Sequence, residues 1–317
     1  MDKISIVVPC FNEEQMIDMF YSELVKVMSG MKDIEYEILF VDDGSKDTTC
    51  QKLCTIAAGD KCVRYISFSK NFGKEAAMLA GINHASGDYT VVMDADLQHP
   101  PALIPKMYGI ITSGNCDCVA TCRSTRKNEP VVRSFFAKAF YRIFNKLCGL
   151  DMVDGAMDFR MMTRQMIEAI KSLPEHGRFS KGIFSWVGFT TEWIEYENIE
   201  RVAGQTKWSF TKLLLYAIEG FTSFSHFPLY VPALGGIFLT GASILAAIVT
   251  LILHLADAVC ISNLWIMILV MLFMFGLQFM LLGVFGGYIA KIFVESKNRP
   301  HYIIRATNIG GENHEND

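Results

Sequence analysis

Five short apolar runs rich in β-branched residues mark the first 125 residues: ISIVVP (4–9), YEILFV (36–41), VRYISF (63–68), YTVVMD (89–94) and CDCVATC (116–122). Their length and composition predict strands. The stretches between them, 13–28, 47–58, 74–84 and 102–113, predict helices. Strands alternating with helices imply an α/β, Rossmann-like fold, a mostly parallel sheet with helices on both faces. Ligands of such sheets sit at the carboxyl ends of the strands.

Three of those ends are polar. The first strand runs into PCFNEE (9–14), the second into DDGS (42–45) and the fourth into DADLQ (94–98). If the chain stays extended there, Asp94 and Asp96 point to the same side. Two carboxylates in that pattern suit a hard divalent cation, Mg²⁺ or Mn²⁺, shared with substrate phosphates. Gln98 adds a neutral oxygen, and His99 stands within reach. An isolated D-x-D is as a rule a surface turn, but this one ends a buried strand beside two other polar strand ends. Asp42 is available to accept from a ligand N–H or hydroxyl, since the capping role in DDGSKDT is better filled by Ser45 or Asp47. Lys74, after the turn NFG, either faces a phosphate or is a solvated first-turn lysine.

The C-terminal third has a different pattern. Leu229–Leu255 carries one histidine, His254, and no formal charge, and neither does Leu264–Ala290. Each run exceeds the roughly 20 residues that span a bilayer core, and two transmembrane helices are expected. The linker 256–263 has no Lys or Arg, whereas Lys207, Lys212, Lys291, Lys297, Arg299 and Arg305 lie on the outer flanks. The positive-inside rule then puts both termini in the cytoplasm and the linker outside, in a cell membrane. The start MDKISIVVPC has no basic region before a long apolar run, so no secretory signal is expected. Mean hydropathy is +0.27 over 317 residues, an excess that these two runs supply. The net charge of −4 gives no electrostatic case for nucleic acid, and none is expected as a partner. The nine cysteines show no paired framework, and Cys116, Cys118 and Cys122 read as strand residues rather than metal ligands.

Two further segments point to a lipid surface. From Pro130, Phe135, Phe136, Ala139, Phe140, Ile143, Phe144 and Leu147 form one helical face, with Lys138, Arg142 and Lys146 on another. A Phe-rich stripe beside a basic one describes an interfacial helix on an anionic membrane. The segment 207–227, with Lys207, Trp208 and Lys212 near its start, leads into the first apolar run as an interfacial anchor.

VVPCFNEE, VDDGSKDTT, NFGKEAAMLAG, MDADLQHPP and GAMDFRMM, in this order, resemble the family 2 glycosyltransferases of the GT-A fold. Within them the likeness is to polyprenyl-phosphate glycosyltransferases, namely bactoprenol glucosyltransferases and dolichol-phosphate mannose synthases, and it covers the chain to about residue 226. The resemblance implies a nucleotide-sugar donor, with Pro9, Phe11, Glu13, Asp42 and Asp43 on base and ribose, and Lys74 near the phosphates. It implies Asp94, Ala95, Asp96 and Gln98 on diphosphate and metal. Asp158 is the implied catalytic carboxylate, a base or an orienting group, with Arg160 as its ion-pair partner or an acceptor ligand. The residue before Asp158 is often small in the family, and Met157 departs from that. Arg123 and Arg133 match positions that hold the lipid phosphate, and Arg201 and Lys207 fit the R-x-x-G-x-[ST]-K segment that binds diphosphate or acceptor. EHGRFSKG (175–182) is expected as a loop closing over the acceptor.

The expected domains are a cytoplasmic GT-A domain at 1–226, with interfacial helices at about 130–148 and 207–226, a two-helix transmembrane domain at 229–290, and a cytoplasmic tail at 291–317. The expected function is inverting, metal-dependent transfer of one sugar, from UDP-glucose or UDP-N-acetylglucosamine, to undecaprenyl phosphate. A homo-oligomer of the paired spans is left open. One alternative is a processive polysaccharide synthase, which two spans are too few to serve. Another is a non-catalytic lipid-presenting scaffold, which would not need Asp94, Asp96 and Asp158.

Overall fold

A computed structural model of the chain describes residues 1–123, 145, 153, 155–173, 175, 177–196, 248 and 263–310. It divides into two compact units, Met1–Leu214 with Pro300–Asp317, and Leu215–Arg299. The first unit is built on an eight-stranded sheet. Strands β1 (Asp2–Cys10), β2 (Ile34–Asp42), β3 (Val63–Phe68), β4 (Tyr89–Val92) and β5 (Cys118–Arg123) answer the five predicted runs. Helices α1 (Ile17–Ser29), α2 (Thr49–Gly59), α3 (Lys74–His84) and α4 (Ile104–Ile111) lie between them. Downstream come β6 (Ala156–Thr163), α5 (Arg164–Lys171), α6 (Ser180–Trp186), β7 (Thr191–Tyr196), and finally β8 (Ile304–Thr307).

The strand order is β7-β5-β6-β4-β1-β2-β3-β8. β4, β1, β2 and β3 are parallel, while β6 runs antiparallel between β4 and β5, and β8 runs antiparallel on the β3 edge. From β1 the chain moves outward to β2 and β3, then returns to place β4 on the other side. The strand order therefore reverses beside β1, where such sheets open a ligand crevice.

Alternation along β1 explains the two layers. Ile4, Ile6, Val8 and Cys10 enter a core with Ile17, Phe20, Leu24 and Met28 of α1 and Ile104, Met107 and Ile111 of α4. Val7 faces the other way, onto α3. A Cβ at Gly81 would stand 2.1 Å from Val7 Cγ1, so glycine sets how closely that helix approaches the sheet. Ala76, Ala77 and Ala80 of α3 pack on Val41, Ile66 and Phe68 for the same reason of small size.

The tail is more than an appendage. Residues after Pro300 return to the catalytic unit, where Tyr302 stacks on Phe68 at 5.0 Å between ring centres. The Asn308 side chain accepts from Tyr65 N at 2.8 Å and donates to Val63 O at 3.1 Å. The β3 edge is thereby covered.

In the second unit, α7 (Asn263–Ser296) is a continuous helix of 34 residues, about 50 Å at 1.5 Å per residue. Met267, Val270, Met271, Leu282, Phe285 and Ile289 are exposed along it. Among the described side chains no helix is long and apolar enough to cross a membrane. The α7 backbone is nonetheless unbroken from Leu264 to Ala290, where the sequence has no formal charge. Of the two expected spans, 264–290 falls within α7, and 229–255 lies outside the described residues apart from Ile248. The interfacial segments near 130–148 and 207–226 also lie outside them, Asn145 excepted.

Candidate active site

The three polar strand ends do share one edge. Register pairs Cys10 of β1 with Asp42 of β2 and Val7 of β1 with Val92 of β4, so their exits lie side by side. β6 brings a fourth element to that edge. It pairs Val92 with Arg160, and Asp94 and Asp158 each lie two residues beyond that last pair. Lys74, at the start of α3, spans the two carboxylates, with Nζ 2.7 Å from Asp94 Oδ1 and 2.6 Å from Asp158 Oδ2. Lys74 is thus an ion-paired lysine and not a free first-turn one, although its side chain stays 41% exposed.

The electrostatics follow from that contact. Burial alone would push the Asp94 carboxyl up, but the Lys74 ammonium, with the His99 imidazole nearby, pulls it down to about 2. Asp158 behaves likewise: burial opposes ionisation, and Lys74, Lys181 and Arg160 outweigh it, holding the carboxyl well below its usual range. Burial would lower Lys74, and the two carboxylates raise it far above its ordinary value instead. His99 is buried, with Nδ1 2.9 Å from the Tyr196 hydroxyl and Nε2 3.7 Å from Asp94 Oδ2. It therefore supports Asp94 from the β7 side.

The expected extension through Asp94 and Asp96 is not what forms. β4 ends at Val92, Met93 N still donates to the Val7 carbonyl, and the chain turns at Ala95 and Asp96, with Leu97 at a φ of 55° and Gln98 N donating to Asp96 Oδ1 at 3.1 Å. A turn, not strand alternation, presents the two aspartates. Ala95 is buried beneath it.

The nucleotide-side residues are tied into the loops that carry them. Asp42 closes its own turn, accepting from Ser45 N at 3.0 Å, and also accepts from Ser67 Oγ at 2.8 Å. Of the two residues expected to cap the next helix, Ser45 does not: its Oγ accepts from Asn12 N instead. Asp47 accepts from Thr49 N at 3.0 Å, at the head of α2. Asp43 accepts from Phe72 N at 2.6 Å and Gly73 N at 2.9 Å, which fixes the loop that starts α3. Glu13 N donates to Thr49 Oγ1, and with the Asn12–Ser45 bond this pins the loop holding Phe11 and Glu13, just after Pro9 in β1, to the start of α2 and to the DDGS loop.

Two expectations change on the acceptor side. Asp158 pairs with Lys74 and not with Arg160, whose Nη2 donates to the Met157 carbonyl and whose guanidinium stacks on Phe184, 3.8 Å from the ring centre. The segment 175–182 is not wholly a loop. Ser180 begins α6, and its N and Oγ both donate to Glu75 Oε2. Burial pushes that Glu75 carboxyl up to about 7. Arg178 donates to Leu173 O, and Lys181 donates to Ala156 O at 2.9 Å. Arg123 ends β5, so its backbone is placed; Arg133, Arg201 and Lys207 lie outside the described residues. Cys118 and Cys122 are buried free thiols of β5, as the strand reading expects. The separate contacts His99–Tyr196 and Glu75–Ser180 are not legible in sequence, because each joins residues about a hundred positions apart.

A sheet that reverses order beside acidic strand ends, with a carboxylate brought alongside on an antiparallel strand, defines a glycosyltransferase of GT-A-like α/β fold. The chain belongs to glycosyl transferase family 2, whose model matches residues 5–171. The SfII prophage-derived bactoprenol glucosyl transferase of Shigella flexneri is 41% identical over 308 residues, 97% of this chain and 99% of that one. A prophage bactoprenol glucosyl transferase homolog of Escherichia coli (strain K12) is 38% identical over 303 residues, 96% of this chain and 98% of the relative. Among solved structures, mannosyl-3-phosphoglycerate synthase from Rubrobacter xylanophilus covers 69% of this chain, with 71% of its own length matched, at 16% identity and a TM-score of 0.50. That likeness concerns the fold.

Proposed function

We propose that this glycosyltransferase moves a single sugar from a nucleotide-sugar, UDP-glucose or UDP-N-acetylglucosamine, to undecaprenyl phosphate at the cytoplasmic face of a membrane, with inversion. The observation that carries the reading is the Asp94–Lys74–Asp158 bridge at the crevice of the sheet. Relatives named bactoprenol glucosyl transferase favour glucose and a polyprenyl acceptor.

Among the described residues no group of three or more His, Cys, Asp or Glu gathers as a metal site. Two carboxylates are nonetheless a fitting set, because Mg²⁺ commonly takes one or two from the protein and the rest from water and phosphate. Asp94, ionised at neutral pH, and Asp96 would hold the ion with Gln98 beside them. When bound, a divalent cation neutralises charge developing on the leaving diphosphate. Pro9, Phe11, Glu13, Asp42 and Asp43 border the base and ribose side of the crevice, the last two chiefly by fixing its loops. Lys74 adds a positive charge where the diphosphate leaves.

Asp158 is held too acidic to be an effective proton acceptor near pH 7. A phosphate monoester, with a second pKa of about 6, is already ionised and needs no base. Asp158 therefore orients the reacting groups and balances charge rather than moving a proton. Arg123, Arg133, Arg201 and Lys207 remain proposed contacts of the lipid phosphate.

The membrane reading draws support from the tail. Segments on both sides of 215–299 belong to one unit, so any crossing by that stretch is matched by a return. An even number of spans, a charge-free stretch within α7 and a basic outer flank agree with a two-span anchor. Full-length protein in neutral detergent, with radiolabelled UDP-glucose, undecaprenyl phosphate and Mn²⁺, should yield an organic-extractable product carrying one sugar. Transfer to no polyprenyl phosphate from any UDP-sugar, or a product of many sugars, would overturn the proposal.

A further inference from the structure

The segment HYIIRATNI (301–309) follows α7 and carries few groups that suggest chemistry. In the fold it lies against the strand that supports the donor loops. β8 pairs with β3 through Ile66–Thr307 and Ser67–Ala306, and just past the end of β3 Ser69 N donates to the Ile303 carbonyl at 3.0 Å. Thr307 Oγ1 donates to the Tyr65 carbonyl at 2.8 Å, and the Asn308 side chain bonds both Tyr65 N and Val63 O. Backbone and side chains together grip β3 from Val63 to Ser69.

What β3 supports gives that grip a consequence. Ser67 Oγ donates to Asp42 Oδ2 at 2.8 Å. The loop after Phe68, residues 69–73, passes the DDGS loop so closely that a Cβ at Gly44 would stand 2.4 Å from the Lys70 carbonyl carbon. At the end of this loop Asp43 accepts from Phe72 N and Gly73 N, and the next residue is Lys74, on Asp94 and Asp158. Tyr302 stacks on Phe68 with the ring planes 13° apart, and Phe72 meets the same Phe68 ring edge-on at 5.8 Å. Tyr302, Phe72 and Ile309 all pack on the patch of Val41, Ile66, Phe68 and Ala76. The loop is thus held by Asp43 on one side and by an aromatic cluster, completed by the tail, on the other.

We infer that residues 302–308 are a positioning strap for the nucleotide-sugar site: through Phe68 and Phe72 they hold loop 69–73, and with it Asp42, Asp43 and Lys74, in the arrangement that receives the donor. The strap acts through β3 and the loop rather than by touching the donor. This rests on the donor assignment above and deepens it, because donor affinity then depends on a segment up to 243 residues from the strand it holds. Losing an aromatic stack shifts a local equilibrium about 2- to 10-fold, and apparent affinity falls with the fraction of molecules whose loop stays in place.

The test titrates UDP in the presence of Mn²⁺ into the full chain in neutral detergent by calorimetry, and then measures transfer from UDP-glucose. Tyr302→Ala should raise the UDP Kd and the KM for UDP-glucose about 5- to 10-fold, with kcat at saturating donor and the KM for undecaprenyl phosphate unchanged. Tyr302→Phe keeps the stack and loses only the contact of the hydroxyl with Asn83, so it should bind UDP as wild type does. Asn308→Ala removes two bonds to β3 and should weaken UDP in the same direction. If Tyr302→Ala does not fold, Tyr302→Leu, which removes the ring and keeps an apolar side chain, takes its place. A lower Tm with an unchanged UDP Kd would show that the tail serves folding alone and would overturn the inference. So would a loss confined to kcat or to the KM for the acceptor. If wild type binds UDP but transfers no sugar to any polyprenyl phosphate, the acceptor reading fails and the UDP titrations still decide the strap. Should GDP bind where UDP does not, the same variants are read with GDP. If wild type binds neither, the donor assignment fails and the strap with it.

Discussion

Lys74→Met removes the ammonium that Asp94 and Asp158 share, and the donor-free protein should then bind Mn²⁺ more tightly. In the structure Lys74 already supplies positive charge to Asp94, so a divalent ion must compete with it or share the carboxylate. The magnitude follows from exposure. Fully exposed ion pairs contribute up to about 1 kcal/mol, and buried charge-assisted hydrogen bonds about 1.5–3 kcal/mol. The Lys74 side chain is 41% exposed, Asp94 27% and Asp158 18%, which puts the competing interaction between these classes. A gain of about 1–2 kcal/mol corresponds to a 5- to 30-fold lower Kd. Free Mn²⁺ can be followed by electron paramagnetic resonance in a titration at pH 7, where Asp94 and Asp158 relax toward ordinary carboxylate values and stay ionised without Lys74. Lys74→Arg keeps the charge and should bind like wild type, and Asp96→Ala should abolish the tight site. Turnover with UDP-glucose should nevertheless fall in Lys74→Met, since the leaving diphosphate loses a cation. Equal or weaker Mn²⁺ binding by Lys74→Met would refute both the competition and the placement of the metal at Asp94.

Other consequences are independent of that one. Asp158→Asn keeps shape and removes charge, and it should lower kcat at least about 100-fold while leaving the KM for donor within a few-fold; a change confined to that KM would make Asp158 a donor-binding group. Glu75 has a folded pKa of about 7, above that of an unfolded glutamate, so the folded state holds the extra proton between about pH 4.5 and 7. Its contribution to stability is therefore complete below about 4.5 and is lost as pH rises through 7. Tm of the detergent-solubilised protein should fall less steeply over that window in Glu75→Gln than in wild type, and an unchanged slope would show that Glu75 titrates normally. Gly81→Ala puts a methyl 2.1 Å from Val7 Cγ1 and should destabilise the catalytic unit by about 1–3 kcal/mol, read as a lower denaturation midpoint; a neutral result would mean that α3 shifts freely on β1.

Local patterning was enough for the first half of the catalytic unit. The runs at 4–9, 36–41, 63–68 and 89–94 became adjacent parallel strands, and the helix expected at 74–84 formed over Lys74–His84. Such elements are legible because burial on both faces demands unbroken apolar runs, and turns demand their polar residues. The acidic strand ends were likewise legible, since a parallel sheet sends all its carboxyl ends to one edge. What patterning could not supply was partnership. Asp158 meets Asp94 only because β6 inserts antiparallel beside β4 in one register, and Lys74 joins them from a helix that packs closely through Gly81. The tail at 291–317 reads as polar and unremarkable in sequence, yet its IRAT becomes β8, because the β3 edge offers unpaired backbone groups and Phe68 a ring to stack upon. Asp94 and Asp96 follow the carboxyl end of β4 as patterning predicts, but a turn instead of an extended strand carries them. Side-chain type and strand position are local properties written in the chain. Which charges neutralise one another across 84 residues is decided by register and packing, and these exist only once the sheet has formed.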